Sequence, residues 1–568
     1  MKKQNLFLGF LVLAFGIVML AACGNEDTSS AVEPEDENGY EAIEAESSLD
    51  PNNPVTLSFF HADGVLDMRF DDAVAQEITR LTGVTLDITA PMAGDEGTDI
   101  GLMVAQGEFP DLIYAKGSID ILIGANALLP LDDLIMSNRG SNLQALYGDL
   151  IGRLRQSEDD PYMFHVGTFG VDEAVLETAG TAKIQMSAMQ ALGFPELNSL
   201  EDFAQAIRDY MEITDIEDPI GLALQGQDWR WFITVGNPAG FALGHMDDGE
   251  WVIDEENQTA TFKYLTPGFA EYFEFLNGLY LEGILHNESF THTQDMYEAL
   301  IASGRVIAVM DQGWNIGGTQ TALRAAGEEW REFMPLAVTL DGDVEPAITR
   351  PTGFTGGWGI SIAADSPNAD VAFDFLNWMA SEEAQILINW GIEGYHWEMV
   401  DGVRTFLPEV AEARQTNPDF DIETGVGLYT EGFPNWGNNA VDSTGNPISA
   451  DNLDAIIENF SDAQLTVLEA YGHTTFIDFF PNPDTFTTPR HGAAWMLPVP
   501  SGSNLEIIQT QLIEFSQPAI ARAIMAPAGE FADRWQYVID GLHRFGVEQA
   551  NEYMTEMVRS QINLWERD

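Results

Sequence analysis

The apolar positions of this chain come first as a solid block, then almost vanish, then settle into short periodic runs. Leu6 to Leu20 is an unbroken, uncharged stretch. Residues 24–53 hold few large apolar groups beyond Val32, Tyr40, Ile43 and Leu49. At Val55 the pattern changes abruptly. Val55-Thr56-Leu57-Ser58-Phe59-Phe60 predicts a buried strand, and Val74, Ile78 and Leu81 predict one face of a helix stopped by Gly83. Val84-Thr85-Leu86-Asp87-Ile88 predicts the next strand, and Leu112-Ile113-Tyr114 another after a second helix. Strands alternating with helices predict a parallel α/β sheet. Further along, Phe269, Tyr272, Phe273, Leu276, Leu279 and Tyr280 form a helical stripe ending before Gly283. Ala372, Phe375, Leu376 and Met379 form another, with Pro367 near its first turn. Between them, Val306-Ile307-Ala308-Val309-Met310 predicts a buried strand running into Asp311-Gln312-Gly313-Trp314. From about 401 the pattern loosens into Gly, Pro and Asn clusters, and the chain closes on helical segments carrying Trp535, Tyr537, Tyr553 and Trp565.

The first block has a specific chemistry. Lys2 and Lys3 precede the apolar run, and Ala21-Ala22-Cys23 follows it, as in a secretory signal peptide. The run is too short for a bilayer span, which takes about 20 apolar residues. Leu20-Ala21-Ala22-Cys23 resembles the bacterial lipobox, in which the cysteine becomes the lipidated mature N-terminus; a chance cysteine behind an ordinary signal peptide is the alternative. Residues 1–22 are therefore expected to be removed and Cys23 to carry diacylglycerol, with two or more chains giving stable anchoring. The stretch 23–53, with ten acidic and no basic side chains, is expected to be a disordered spacer.

Charge and composition then narrow the classes. The chain of 568 residues has a formal net charge of −67, from 91 acidic and 24 basic residues, of which only five are lysines. Nucleic-acid binding is excluded, because it needs a basic footprint. Such acidity fits either a calcium binder or, preferentially, a surface adapted to salty or alkaline surroundings. Cys23 is the only cysteine, so disulfides and cysteine-based metal sites are excluded, and the nine histidines show no zinc-ligand spacing. No cofactor and no metal site is expected. Beyond the signal, no run is long enough for a transmembrane helix.

The order of the segments resembles the extracellular solute-binding lipoproteins of bacterial carbohydrate ABC importers, in the large lipoprotein branch of the family 1 proteins. The resemblance rests on Leu102-Met103-Val104-Ala105-Gln106-Gly107-Glu108-Phe109-Pro110-Asp111-Leu112-Ile113, on Ala127 through Leu134, and on Leu192-Gly193-Phe194-Pro195 leading to Leu200-Glu201-Asp202-Phe203. It continues through Ser303-Gly304-Arg305-Val306 to Trp314, Ser366-Pro367-Asn368-Ala369, Trp390-Gly391-Ile392-Glu393-Gly394 and the stretch 535–546. It implies a two-lobed α/β, periplasmic-binding-protein-like (type II) fold with a hinge and an interlobe cleft. Lobe 1 would comprise 54–165 and about 345–400, and lobe 2 166–344 and about 401–568. Relatives that bind acidic oligosaccharides often carry a calcium loop after the helix near 200–210. Here Thr214-Asp215-Ile216-Glu217-Asp218-Pro219-Ile220-Gly221 lacks the spaced oxygen ligands, so calcium is not carried over. The partners implied are an oligosaccharide and the permease subunits of an ABC transporter, for a monomer anchored through Cys23 at the extracellular face of the cell membrane.

A sugar site needs aromatic plates for C–H faces and multidentate polar groups for the hydroxyl rim. Trp229-Arg230-Trp231, after Gln225, Gln227 and Asp228, supplies both. On an extended chain Trp229 and Trp231 would share one face, unless one of them belongs to the core. Trp314 follows a buried strand, and Trp358 sits among glycines at either the cleft or the hinge. His61 and Asp63 lie at a strand's carboxyl end, where α/β sheets bind ligands, although Asp63 also suits a helix entry. Trp436 is a loop aromatic with amide neighbours. Arg230 and Arg490 would pair a uronate carboxylate if the ligand has one, or else serve as structural ion pairs.

The expected function is thus a receptor that captures an oligosaccharide and delivers it to a permease, and not an enzyme. A peptide receptor is the first alternative, a secreted glycoside hydrolase or an adhesion scaffold the next. A hydrolase needs two carboxylates about 5–10 Å apart. No Gly-x-Ser-x-Gly elbow, phosphate loop or His-Glu-x-x-His helix occurs.

Overall fold

The computed structural model describes residues 47–63, 68–92, 96–158, 161–178, 180–356, 358–417 and 419–566. In chain order the strands are β1 (Val55–His61), β2 (Val84–Thr89), β3 (Leu112–Tyr114), β4 (Val166–Gly167), β5 (Thr181–Gln185), β6 (Ile220–Ala223), β7 (Trp251–Asp254), β8 (Thr259–Phe262), β9 (Val306–Asp311), β10 (Phe333–Pro335), β11 (Gly359–Ile362), β12 (Trp397–Val400) and β13 (Val403–Phe406). They build one five-stranded sheet, β2-β1-β3-β11-β4, one four-stranded sheet, β10-β5-β9-β6, and two hairpins. Each large sheet is the centre of its own hydrophobic core, which makes the molecule two-lobed.

The first elements follow the apolar periodicity closely. The helix Ala73–Thr82 buries Val74, Ala75 and Ile78, is capped by the Asp72 carboxylate and stops at Gly83, whose φ of 76° is open to glycine without strain. In the first sheet β1 runs parallel to β2 and β3, but β11 is antiparallel to β3 and β4. The second sheet is parallel only between β6 and β9. The expected purely parallel order therefore fails wherever the chain returns from the other lobe, because a returning strand enters its sheet from the cleft side.

The chain passes from the first sheet at Gly167 to the second at Thr181, returns between Val338 and Phe354, and leaves the first lobe again between Ala450 and Ala463. The first crossing lies beside a loop of the first lobe: Asp172 N–H donates to the Trp436 carbonyl at 2.9 Å, and Ala174 N–H to Asn438 Oδ1 at 2.8 Å. Two expected boundaries are corrected. Residues 401–450 do not belong to the second lobe, since Phe420, Val426, Leu428, Tyr429 and Phe433 pack into the first core. The acidic spacer ends earlier than 53: Ser48 donates to Asp374 from both its N–H and its hydroxyl, and Leu49 packs on the first core. The signal segment, Cys23 and the spacer up to residue 46 lie outside the described residues.

The second lobe is completed by three C-terminal helices, Asn504–Ile524, Phe531–Arg544 and Val547–Trp565. Asn277, buried on the helix Phe269–Glu282, donates to the carbonyls of Ile524 and Ala526 and fastens them to it. Among the described residues no helix is long and apolar enough to cross a membrane.

Candidate functional site

Strand direction decides where chemistry gathers. In the first lobe β1 and β3 end together at His61 and Tyr114, and Ile360 of β11 pairs with Tyr114 from the opposite direction. The residue leading into β11, Trp358, therefore lies beside the residue leaving β3 toward the next turn, Lys116. Lys116 Nζ sits 4.4 Å from the Trp358 ring centroid and 2.5 Å from Asp63 Oδ1. Lys116 itself occupies the left-handed backbone region, with φ of 49°. Asp63, Lys116 and Trp358 thus form one cluster at the strand ends.

The matching edge of the second lobe is aromatic. Strand β6 ends at Ala223 and β9 at Asp311, and the loops after them carry Trp229 and Trp314. Asp228 turns the first loop with φ of 49°. Trp314 stands in the first turn of the helix Gly313–Ala325. The two indoles stack with centroids 6.0 Å apart and planes 19° from parallel, and they remain 53% and 63% exposed. Arg230 lies over Trp229 at 4.7 Å and pairs with Asp228 at 3.1 Å. Two stacked indoles left open make an exposed aromatic patch of the kind that marks interaction surfaces and ligand-binding grooves.

Below this edge the second lobe holds a buried polar cluster. Asp311 accepts from Asn315 Nδ2 at 2.9 Å and from the Gln312 N–H at 2.7 Å, while burial lifts its carboxyl to about 6. Lys183 is pushed down to about 8, burial outweighing the nearby carboxylates of Asp311 and Glu177.

Between the lobes, the crossing segments enclose a pocket of about 410 Å³, within the size range of small-ligand sites. Phe169, Phe354 and Trp495 form apolar wall, and Glu173, Asp247 and Arg350 line it as well. Trp358 joins this pocket to the Lys116 cluster, packing against Phe169 at 5.7 Å and edge-on against Trp495 at 5.5 Å. Burial raises the Asp247 carboxyl to about 6, although Gly249 and Asn237 donate hydrogen bonds to it.

Four expected site residues are placed elsewhere. Trp231 is 1% exposed, and its indole N–H donates to Tyr264 Oη in the core. The reason is local: residues 230 and 231 open a helical segment, where positions two apart point to opposite sides. The Trp229–Trp231 platform is therefore replaced by Trp229–Trp314. His61 is buried between the Phe59 and Tyr114 rings and beneath Gly432, where a Cβ would run into Nε2. Burial lowers its pKa to about 4, so its imidazole is neutral. Trp436 donates its indole N–H to the Ala380 carbonyl at 2.8 Å and anchors its loop to the first lobe. Arg490 pairs with Glu566 on an open surface.

The sequence reading missed Lys116, Phe169 and Trp495. Lys116 had a signal, being one of five lysines and placed two residues after a strand end. Trp495 follows Gly492 in an irregular stretch whose position at the pocket depends on the tertiary fold. Among the described residues no group of three or more His, Cys, Asp or Glu side chains is arranged to hold a metal ion.

Residues 73–414 match the family model for bacterial extracellular solute-binding proteins, more than half of the chain. The chain belongs to that family. Among curated proteins, this solute-binding protein is 23% identical to lipoprotein LipO of Bacillus subtilis (strain 168) over 234 residues, 39% of this chain and 45% of LipO. The chain thus matches less than half of that relative's length. An extracellular solute-binding protein from Bifidobacterium longum subsp. infantis superposes with a TM-score of 0.67 at 12% identity, covering 91% of this chain and all of the other. The substrate-binding protein FusA of an ABC transporter of S. pneumoniae, in complex with kestose, gives 0.62 at 15% identity, covering 89% and 99%. These likenesses are of fold: two α/β lobes with a cleft between them.

Proposed function

We propose that this solute-binding protein is a non-enzymatic, lipid-anchored receptor on the outer face of the cell membrane. It captures an oligosaccharide in the interlobe cleft and presents it to the permease of an ABC importer. The observation that carries the reading is the Trp229–Trp314 pair, two rigid and exposed indoles at the carboxyl ends of β6 and β9. Sugar rings lay their C–H faces on such plates. The Asp63–Lys116–Trp358 cluster supplies hydrogen-bonding groups and a further ring at the strand ends of the first lobe. A ligand touching both edges favours the closed arrangement by its differential contact, and closure is the signal a permease reads. The complex of the similarly folded FusA with kestose supports a sugar over a peptide.

The test is a thermal-shift and calorimetric screen of the protein from Ser47 onward against oligosaccharides and peptides, with product analysis of every binder. A ligand at about 100 times its Kd adds about 2.7 kcal/mol of stability. Stoichiometric oligosaccharide binding without cleavage is expected. Binding of peptides alone, or breakdown of the glycan, would overturn the reading.

A further inference from the structure

We infer that the cleft takes a glycan without carboxylates and rejects uronates, an inference that rests on the receptor reading above. The argument starts from the cations near the site. A uronate carboxylate leaving water needs a cation or several N–H donors to replace its hydration. Among the described residues three cations beside the candidate site, Lys116, Arg230 and Arg350, each have a carboxylate of their own, whereas Arg153, next to the pocket, is held by the Phe354 carbonyl and the Trp565 ring. Lys116 holds Asp63 at 2.5 Å, and Arg230 holds Asp228 at 3.1 Å while its backbone N–H donates to the same carboxylate at 2.9 Å. Arg350, lining the interlobe pocket, is bound to Glu255 at 2.5 Å and donates to the Thr487 carbonyl.

What faces these pairs is acidic. Glu173 and Asp247 line the pocket, and burial raises the pKa of both. Glu431, close enough to Asp63 and Lys116 to feel their charges, is raised by burial first and by Asp63 second. A second anion brought among them would be repelled, and juxtaposed like charges cost several kcal/mol. Hydroxyl groups, in contrast, can share the outer lone pairs and N–H groups of both ion pairs without breaking them. Charge selection here is the repulsive side of specificity, achieved by cations that are present but taken.

The experiment takes the tightest neutral oligosaccharide from the screen and the same oligosaccharide oxidised at its C6 hydroxyls to uronates. Calorimetry compares them on the wild-type protein and on Asp228→Asn and Asp63→Asn, each of which frees a cation. The oxidised form is expected to bind about 30-fold or more weakly to the wild type. At least one variant should narrow that gap about fivefold or more, and added salt should narrow it further in the wild type. Two variants guard against one that fails to fold, which its ligand-free melting curve reveals. Equal or tighter binding of the uronate by the wild type would overturn charge selection and leave the receptor standing. An unchanged gap in both folded variants would also overturn it. Binding of no glycan at all would instead remove the receptor reading.

Discussion

Replacing Trp314 by alanine separates a ligand platform from a packing residue. The side chain is 63% exposed, and an aromatic of this size offers up to about 250 Å². About 150 Å² is therefore open to solvent, and a sugar laid on one face covers about half of it. At about 25 cal/mol per Å² this removes about 2 kcal/mol of binding, or about 30-fold in Kd. The ligand-free melting temperature should hardly move, because little of the ring is packed and alanine suits the first turn of a helix. Trp314→Phe keeps a plate and should recover most of the affinity. Trp231→Ala makes the contrast: a buried indole is lost, Tyr264 loses its donor, and stability falls by about 3–5 kcal/mol. Calorimetric titration with the oligosaccharide found in the screen, paired with ligand-free melting curves, reads both effects. Binding by Trp314→Ala within about threefold of the wild type would refute the platform.

Other expectations follow from partners and burial. Asp247, with its carboxyl lifted by burial to about 6, binds a proton more tightly folded than unfolded. Its ionisation costs stability as pH rises from about 4 to about 6, so the advantage of Asp247→Asn over the wild type should grow across that window and then level off, at about 1–3 kcal/mol. Asp111, buried, accepts from Ser58 N–H and Oγ, Ser366 Oγ and Asn368 Nδ2; burial raises its pKa, but these bonds outweigh it and the net shift is downward. Asp111→Ala should cost about 2–4 kcal/mol in denaturant unfolding near neutral pH, and the loss should shrink as the wild type is acidified through that lowered pKa. Arg490→Ala should change stability by less than about 1 kcal/mol and leave ligand affinity unchanged, since its partner Glu566 is equally exposed. Cys23→Ser should move the protein from the membrane fraction to the medium on cell fractionation; retention in the membrane would refute a lipid anchor on that residue.

The elements legible in the sequence are those whose apolar pattern is local, either periodic or continuous. Helix Ala73–Thr82 and strands β1 and β2 alternate buried and open positions, while β3 and β9 are short unbroken apolar runs buried at every position, so the pattern locates them without reference to the rest of the chain. The stretch 401–450 has no such regularity. It joins the first lobe through scattered side chains such as Phe420, Tyr429 and Phe433, and only the tertiary fold decides which core they enter. Local pattern could not set that lobe boundary.

The site divides along the same line, and the division explains why one tryptophan of a pair was misplaced. Trp314 was legible because the buried run of β9 fixes where the strand must end, and the next helix starts there. Trp229 and Trp231 follow a shorter strand and a turn at Asp228, whose φ of 49° no hydrophobic period announces. An extended chain past that turn would put both indoles on one face; the helical chain that is present sends one outward and one into the core. Lys116 repeats this on the other lobe, again at φ of 49° directly after a strand end. A non-glycine residue is held in the left-handed region only where its surroundings over-determine it. Of the non-glycine residues in that region, Lys116 and Asp228 are each half of an ion pair, with Asp63 and Arg230, and each pair sits against an indole, Trp358 or Trp229. The backbone turn, the ion pair and the aromatic ring therefore form one local unit in each lobe, after β3 in the first and after β6 in the second.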